Sequence, residues 1–276
     1  MKEHSPLDHA EIGRLAAQEG LPWKIIGLDH CQSTNEEAIT LIRNDPGLLD
    51  RGLVLFSEWQ GSGRGRRGSR WISPRSRDLL VSIAMHPPVS PDRWTRLTHA
   101  AALALCHTLR PEYPVTVKWP NDIYLSKAKV AGILVESITP SVSTDCGIAV
   151  IGIGLNVNSM PEDYPENLDA PATSLRMHAG EHPSRLQREP IAASLICALH
   201  RTVLRSREDF PAILDELKPF SNLLGQRVTL TLPDGATQSG LVKDFGPEGE
   251  LLLQTDDATQ EAPLLSIASA DHVRRG

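Results

Sequence analysis

The chain predicts an α+β fold that ends in a small all-β unit, and three observations carry the prediction. Between residues 23 and 220, apolar stripes at helical spacing alternate with short apolar runs, without the strict strand–helix rhythm of a parallel sheet. After Pro219 the character changes to short apolar runs cut by turn residues, Pro233-Asp234-Gly235 and Gly246-Pro247-Glu248-Gly249. With 276 residues, 40% of them hydrophobic and 22% charged, the chain can bury one substantial core and a smaller second one.

Residues 7–20 read as a short helix with Gly20 near its end. Trp23 to Leu28 suggests a first strand. Ser33-Thr34-Asn35-Glu36-Glu37 then has the hydroxyls and trailing acids that open a helix, continued by Ala38, Ile39, Leu41 and Ile42. Leu53-Val54-Leu55-Phe56 and Leu79 to Met85 read as strands. Pro91 to Leu109, with Leu97, Ala101, Leu105 and Leu109 on one stripe, reads as a long amphipathic helix. Three β-type segments follow, Val115 to Trp119, Val130 to Ser137 and Gly147 to Val157, with a turn at Leu125-Ser126-Lys127-Ala128. Residues 159–185 form a loop region rich in Pro, Glu and Asp, and Arg188 to Arg207 returns to helix. The terminal unit offers Arg227 to Leu232, Gly240 to Phe245, Glu250 to Leu253 and Leu264 to Ala268 as strands. Boundaries therefore fall at 1–22 for a short helical segment, 23–221 for the main unit and 222–276 for the β unit.

Composition narrows the function classes. Cys31, Cys106, Cys146 and Cys197 lie far apart and form no C-x-x-C, which argues for free thiols in a reducing cytoplasm and against a zinc site or disulfide framework. No apolar run approaches the ~18 residues of a membrane span, and Met1-Lys2-Glu3-His4-Ser5-Pro6 lacks the apolar core of a signal peptide. The ten histidines contain no H-E-x-x-H or other paired metal spacing. A net charge of -6 speaks against nucleic acid as the main partner.

Against that acidic background, Gln60-Gly61-Ser62-Gly63-Arg64-Gly65-Arg66-Arg67-Gly68-Ser69-Arg70-Trp71 concentrates guanidinium groups on a glycine-rich backbone. Such a segment reads as an anion-binding loop: the glycines let backbone N–H groups come close, and the arginines supply planar forks for oxyanions. The segment spells G-x-G-x-x-G, but Ser69 to Pro74 has no helical period, so the strand–turn–helix context of a dinucleotide fold is missing. No Gly-Lys-Ser/Thr triplet of a P-loop occurs. Further polar groups recur at strand ends: Ser33-Thr34-Asn35, Lys118-Trp119-Pro120-Asn121-Asp122, Lys129-Val130-Ala131-Gly132 and Gly152-Ile153-Gly154-Leu155-Asn156-Val157-Asn158. Lys118 and Lys129 can bring two ammonium groups to one anion, while Asp122 can hold a metal ion or a substrate amine. Asn121 by itself is also an ordinary turn residue after Pro120. Together these groups suggest polyphosphate chemistry.

Taken in order, these motifs, with Ile133-Leu134-Val135-Glu136 and Ala172-Thr173-Ser174-Leu175, resemble the motif set of biotin protein ligases from residue 23 to about residue 220. The resemblance implies a class II synthetase/biotin ligase-like catalytic domain over 23–221, built on a central mixed β-sheet with flanking helices, and a C-terminal SH3-like β-barrel over 222–276. It also implies a two-step reaction. Biotin and ATP give biotinyl-5′-AMP and pyrophosphate, and a lysine of a biotin carboxyl carrier protein then takes the biotinyl group. Mg2+ is expected with the triphosphate.

Residue by residue, the resemblance implies that Arg66, Lys129 and Asp122 are catalytic, with Asp122 acting as base or as orienter of the amine. Ser33, Thr34, Asn35, Gln60, Gly63, Arg64, Arg66 and Lys129 would bind biotin, Arg64 through its backbone. Arg66, Arg67, Trp71, Asn121, Lys129 and Asn156 would bind ATP and the adenylate. Ser33 and Thr34 can cap a helix as well as touch ligand. Residues 1–22 are too few for the winged-helix DNA-binding domain of many bacterial relatives, so no DNA partner is expected. Homodimers are common among relatives. Gly61 departs from the bulkier residues usual beside Gln60 and is expected to loosen the loop. Lipoate protein ligases share the fold, but the Gly/Arg loop and Lys118-Trp119-Pro120-Asn121-Asp122 favour biotin. The pair Arg66 and Lys129 disfavours a non-catalytic biotin sensor.

Overall fold

The protein is described by a computed structural model that covers residues 5–138, 147–168, 170–180, 184–256 and 263–275. Seven strands form the central sheet: β1 (Lys24–Leu28), β2 (Leu53–Ser57), β3 (Leu79–Met85), β4 (Val115–Lys118), β5 (Asp122–Leu125), β6 (Ala128–Ile138) and β7 (Ile148–Leu155). Their order is β1-β2-β3-β7-β6-β5-β4. Only β1 and β2 run parallel, so the sheet is mixed, as the resemblance implies.

The two faces of this sheet are packed by different helices. On one face lie α1 (His9–Gln18), α3 (Thr95–Leu109), α4 (Arg188–Glu208) and α5 (Phe210–Leu217), on the other α2 (Thr34–Asn44). Strand β2 shows why its sequence reads as unbroken apolar: Val54 and Phe56 point to the α3/α4 core, and Leu53 and Leu55 to the α2 core. Strand β7 uses the same alternation differently. Ile151, Ile153 and Leu155 join the α3/α4 core, which leaves Gly152 and Gly154 on the α2 face. Gly132 of β6 pairs with Gly154, so that face carries a trough without side chains.

Several elements differ from expectation. Ile123-Tyr124-Leu125 belong to the extra strand β5, which pairs with β6 across a turn where Ser126 takes φ 54°. The long helix expected from Pro91 begins as a 3-10 turn over Pro91–Arg93, and α3 proper starts at Thr95. Helix α5 is new, capped by the Asp209 carboxylate accepting from Ala212 N–H. Cys31, Cys106 and Cys197 are buried free thiols, and Cys146 lies outside the described residues. Among the described residues no helix is long and apolar enough to cross a membrane.

The terminal unit contains β8 (Arg227–Thr231), β9 (Thr237–Phe245), β10 (Leu251–Thr255), β11 (Leu265–Ile267) and the unanticipated β12 (His272–Arg275). Their order, β11-β10-β9-β8-β12, is antiparallel throughout. Among the described residues β11 and β12 do not pair, so this is an open five-stranded sheet and not the closed SH3-like barrel of the sequence expectation. Its edges are β11, of three residues, and β12, of four. The inner side of the sheet instead packs on the main unit, with Val228, Leu230, Val242, Phe245, Leu251, Leu253 and Ile267 in the same contiguous core as α3 and α4. Polar contacts fix the seam. Trp119 Nε1 donates to Gly249 O at 2.9 Å, and the Arg96 fork meets Glu248 at 2.6 and 2.5 Å.

Candidate active site

A cavity of about 860 Å3 opens over the glycine trough. At one end lies the start of α2. Ser33 occupies the N-cap position but its hydroxyl makes no capping bond; instead Gln60 Oε1 accepts from Thr34 N–H at 2.7 Å. Gln60 is brought there because the β1–β2 alignment continues past the strands: Cys31 and Gln60 form a parallel bridge, and Gly61 N–H donates to Cys31 O at 2.9 Å. A Cβ on Gly61 would stand 2.9 Å from Gln32 Oε1, the end of a side chain that can move aside. Asn35 donates Nδ2 to Glu136 Oε2 at 2.7 Å, and Ser82 Oγ lies 2.5 Å from Asn35 Oδ1.

The arginine segment folds back on itself like a hairpin. Trp71 N–H donates to Gly63 O at 2.9 Å, Gly65 N–H to Ser69 O at 2.7 Å, and Arg64 bridges Arg70. The tip turns through Arg67 (φ 55°) and Gly68 (φ 77°), both in the left-handed region. The glycines thus have a second purpose beyond amide access: a Cβ on Gly63 would meet Trp71 O, and one on Gly65 would meet Ser69 Oγ, so the two arms could not close. Gly63 itself is buried and does not line the cavity. Trp71 lies across the trough, where side chains on Gly132 or Gly154 would press on its ring.

The cationic end forms where this hairpin faces β4–β6. Lys118 and Asp122 are paired across β4 and β5, and Lys129 Nζ lies 2.7 Å from Asp122 Oδ1, off the line of an aligned hydrogen bond. Lys129 Nζ also stands 5.5 Å from the Trp71 ring centroid. Arg66 donates to Asn121 Oδ1 and to Ser269 Oγ, both at 3.3 Å; Arg67 donates to Ser269 Oγ at 3.0 Å and pairs with Asp271. Asn121 is held by Nδ2 donating to Ile133 O at 2.9 Å. The Trp119–Pro120 peptide is cis. Burial first, then the neighbouring Arg67 charge, lowers the pKa of Arg66, with Asp122 opposing. Burial likewise lowers that of Lys118, opposed by Asp122 and helped by Lys129 and Arg275. Burial and the Asp122 charge push the Tyr124 hydroxyl up to about 12. Positive charge crowded into half-buried space favours an anionic ligand.

Of the residues expected from sequence, Ser33, Thr34, Asn35, Gln60, Arg64, Arg66, Arg67, Trp71, Asn121, Asp122 and Lys129 line one cavity. The Arg64 side chain leaves the cationic end and pairs with Glu36 at 3.2 Å and Glu136 at 3.1 Å. Besides Gly63, Asn156 is the exception. It is 3% exposed, is absent from the cavity wall, and donates Nδ2 to Thr173 O at 2.9 Å, while its buried Oδ1 has no partner. The Ala172–Leu175 motif is structural here: Lys129 N–H donates to Pro171 O, Thr173 N–H to Lys129 O and Leu175 N–H to Asn156 O, so it pins the strand that carries Lys129. Sequence reasoning missed Ser82, Ser269 and Asp271. It also missed Asp78, 2% exposed, which holds the 157–159 backbone by accepting three N–H groups at 2.8 to 3.2 Å. Burial raises the pKa of Asp78, opposed by the hydroxyls of Ser159 and Ser73 and these N–H bonds.

Residues 32–156 match the model of the biotin/lipoate A/B protein ligase family. Over 98% of its length the chain is 30% identical to a biotin–[acetyl-CoA-carboxylase] ligase of Mycobacterium tuberculosis, of which it covers 97%. The chain belongs to the biotin protein ligase family. It is also 28% identical to a bifunctional ligase/repressor BirA of Bacillus subtilis, over 98% of this chain and 80% of that one. The solved structure of the biotin protein ligase from Aquifex aeolicus in complex with biotin and ATP superposes with a TM-score of 0.71. That match has 25% identity and covers 92% of this chain and 99% of that one.

Proposed function

We propose that the protein is a biotin–[acetyl-CoA-carboxylase] ligase that joins biotin to a lysine of a biotin carboxyl carrier protein through biotinyl-5′-AMP. The observation that carries this reading is the polarity of this cavity: neutral hydrogen-bonding groups at Thr34 and Gln60 at one end, and Arg66, Arg67, Lys118 and Lys129 at the other. Joining a carboxylate to a triphosphate brings two anions together, and fixed cations lower that barrier more than any other device available here. The biotin carboxylate oxygen attacks the α-phosphorus and pyrophosphate leaves with the P–O bond electrons. Arg66 and Lys129 stabilise the charge that gathers on the carboxylate and α-phosphate oxygens. In the second step the acceptor amine attacks the acyl carbon and AMP departs. Asp122, beside Lys129, would receive or orient the amine proton.

Arg67, Asn121 and Trp71 would hold the nucleotide, whereas Asn156, buried off the cavity wall with Nδ2 on Thr173 O, would support the site rather than touch adenine. Ser33, with Arg64 backbone, would complete the biotin pocket. Among the described residues no group of three or more His, Cys, Asp or Glu could hold a metal ion, so Mg2+ would arrive with ATP, on the phosphates. Residues 23–221 would form the catalytic domain, preceded by the short helical segment 1–22 and followed by 222–276. Biotin-dependent exchange of labelled pyrophosphate into ATP tests the reading, with lipoate and octanoate in parallel. Exchange with biotin alone is expected; exchange with lipoate would move the substrate, and none would remove the enzyme.

A further inference from the structure

Ser82 sits mid-strand in β3 with none of its surface exposed, and no step of the proposed reaction touches it. Its Oγ lies 2.5 Å from Asn35 Oδ1 and 2.7 Å from Thr34 Oγ1. A hydroxyl carries one proton, so Ser82 cannot donate in both contacts. The groups further along decide which one it serves. Glu136, ion-paired with Arg64, offers only acceptors, so the Asn35 amide must turn Nδ2 toward it. Asn35 Oδ1 then faces Ser82 and can only accept, which commits the Ser82 proton to it. The 2.7 Å contact with Thr34 is a hydrogen bond only if Thr34 donates to Ser82.

Gln60 is fixed by the same reasoning from the other side. Thr34 N–H is a backbone donor, so the amide must present Oε1 to it at 2.7 Å, and Nε2 is left as a donor. The 3.1 Å approach of Thr34 Oγ1 to that same Oε1 is then left without a proton, at ordinary contact distance. Thr34 Oγ1, with its proton on Ser82, shows the cavity lone pairs only.

We propose that Ser82, acting with Asn35 and Glu136, is a positioning residue that fixes the Thr34 hydroxyl as an acceptor. The pocket therefore demands a ligand N–H opposite Thr34 Oγ1. A cyclic urea supplies one; a dithiolane or an alkyl tail supplies none. The inference rests on the biotin reading and deepens it, because it names the groups that choose between biotin and the acyl substrates of a lipoate ligase.

Calorimetric titration of the full chain tests it. Wild type, Ser82→Ala and Glu136→Gln are each titrated with biotin, with desthiobiotin, which keeps the urea but lacks the ring sulfur, and with two cyclic carbamates in which oxygen replaces one or other urea N–H. Wild type should prefer biotin to one of the carbamates by at least about tenfold, the usual penalty for facing acceptor with acceptor. In Ser82→Ala the Thr34 hydroxyl is free to rotate and donate, so that preference should fall to about twofold or less, while desthiobiotin weakens in step with biotin. The partly exposed Glu136→Gln, which frees the Asn35 amide to turn, should lose the preference too and covers the case in which Ser82→Ala does not fold. Unchanged preference in a folded variant overturns the inference with the biotin reading intact. Absence of biotin binding by wild type overturns the biotin reading itself.

Discussion

The two ends of the cavity are built on opposite plans. At the neutral end, Thr34, Asn35 and Ser82 are each at most 5% exposed, and each is committed to a partner on the sheet, on α2 or at Gln60. At the cationic end, Lys129 and Asp122 keep 27% and 23% of their side-chain surface, and Arg66 and Arg67 are tethered to Ser269 and Asp271, some two hundred residues away. The neutral end must recognise a ligand of fixed shape, so it is set in advance by buried bonds. The cationic end must release pyrophosphate and then AMP, so its charges are held by exposed partners that an incoming phosphate can replace.

If that contrast is right, the largest effect should follow from removing a charge where the phosphate reacts. Lys129→Ala should slow biotin-dependent pyrophosphate exchange by about 10²–10³-fold, with the loss mainly in kcat. Similar rates in variant and wild type would deny the cationic end its role. Arg66→Gly, which deletes the contacts to Asn121 and Ser269, should also release adenylate: chromatography of a reaction lacking acceptor should find free biotinyl-5′-AMP in solution. If the variant retains the intermediate on the protein, the tip of the hairpin does not close the site. Thr34→Val probes the neutral end and should raise KM for biotin about tenfold at nearly constant kcat, the signature of lost uniform binding. Asp271→Ala should change KM for ATP by only about two- to fivefold, in keeping with the small worth of a part-exposed ion pair. Last, raising salt from 50 to 300 mM should raise KM for ATP and leave KM for biotin nearly unmoved. Equal sensitivity at the two ends would erase the distinction.

Much of the contrast is legible in the sequence because both ends are made of local motifs. The alternation Ile151-Gly152-Ile153-Gly154-Leu155 states that one face of β7 is packed and the other bare, and the Gly/Arg segment announces its charge. What holds those motifs is not local. Ser82 is one hydroxyl in an apolar strand, and its meaning depends on Thr34 and Asn35 arriving from α2. Ser269 and Asp271 lie between β11 and β12 of the other sheet, and Asp78 acts on a backbone turn about eighty residues later. Asn156 is expected at the adenylate, whereas its Nδ2 is engaged by Thr173 O, a pairing set by a loop whose path the sequence does not give. The barrel expectation failed for a related reason: strand patterns give the number of strands but not whether the two edge strands, β11 and β12, pair with each other.

The seam at Gly249 has a consequence for anyone recombining members of this family. Gly249 takes φ 85°, a side chain there would run into the His99 ring, and its carbonyl accepts from Trp119 in the Lys118–Asp122 motif. Its neighbour Glu248 holds Arg96. The terminal sheet is therefore not an interchangeable cassette. A chimera that imports a foreign sheet without a glycine at this turn would displace Trp119, and with it the strand pair that presents Lys118 and Asp122. Such hybrids should fail by misplacing an active site that contains no foreign residue.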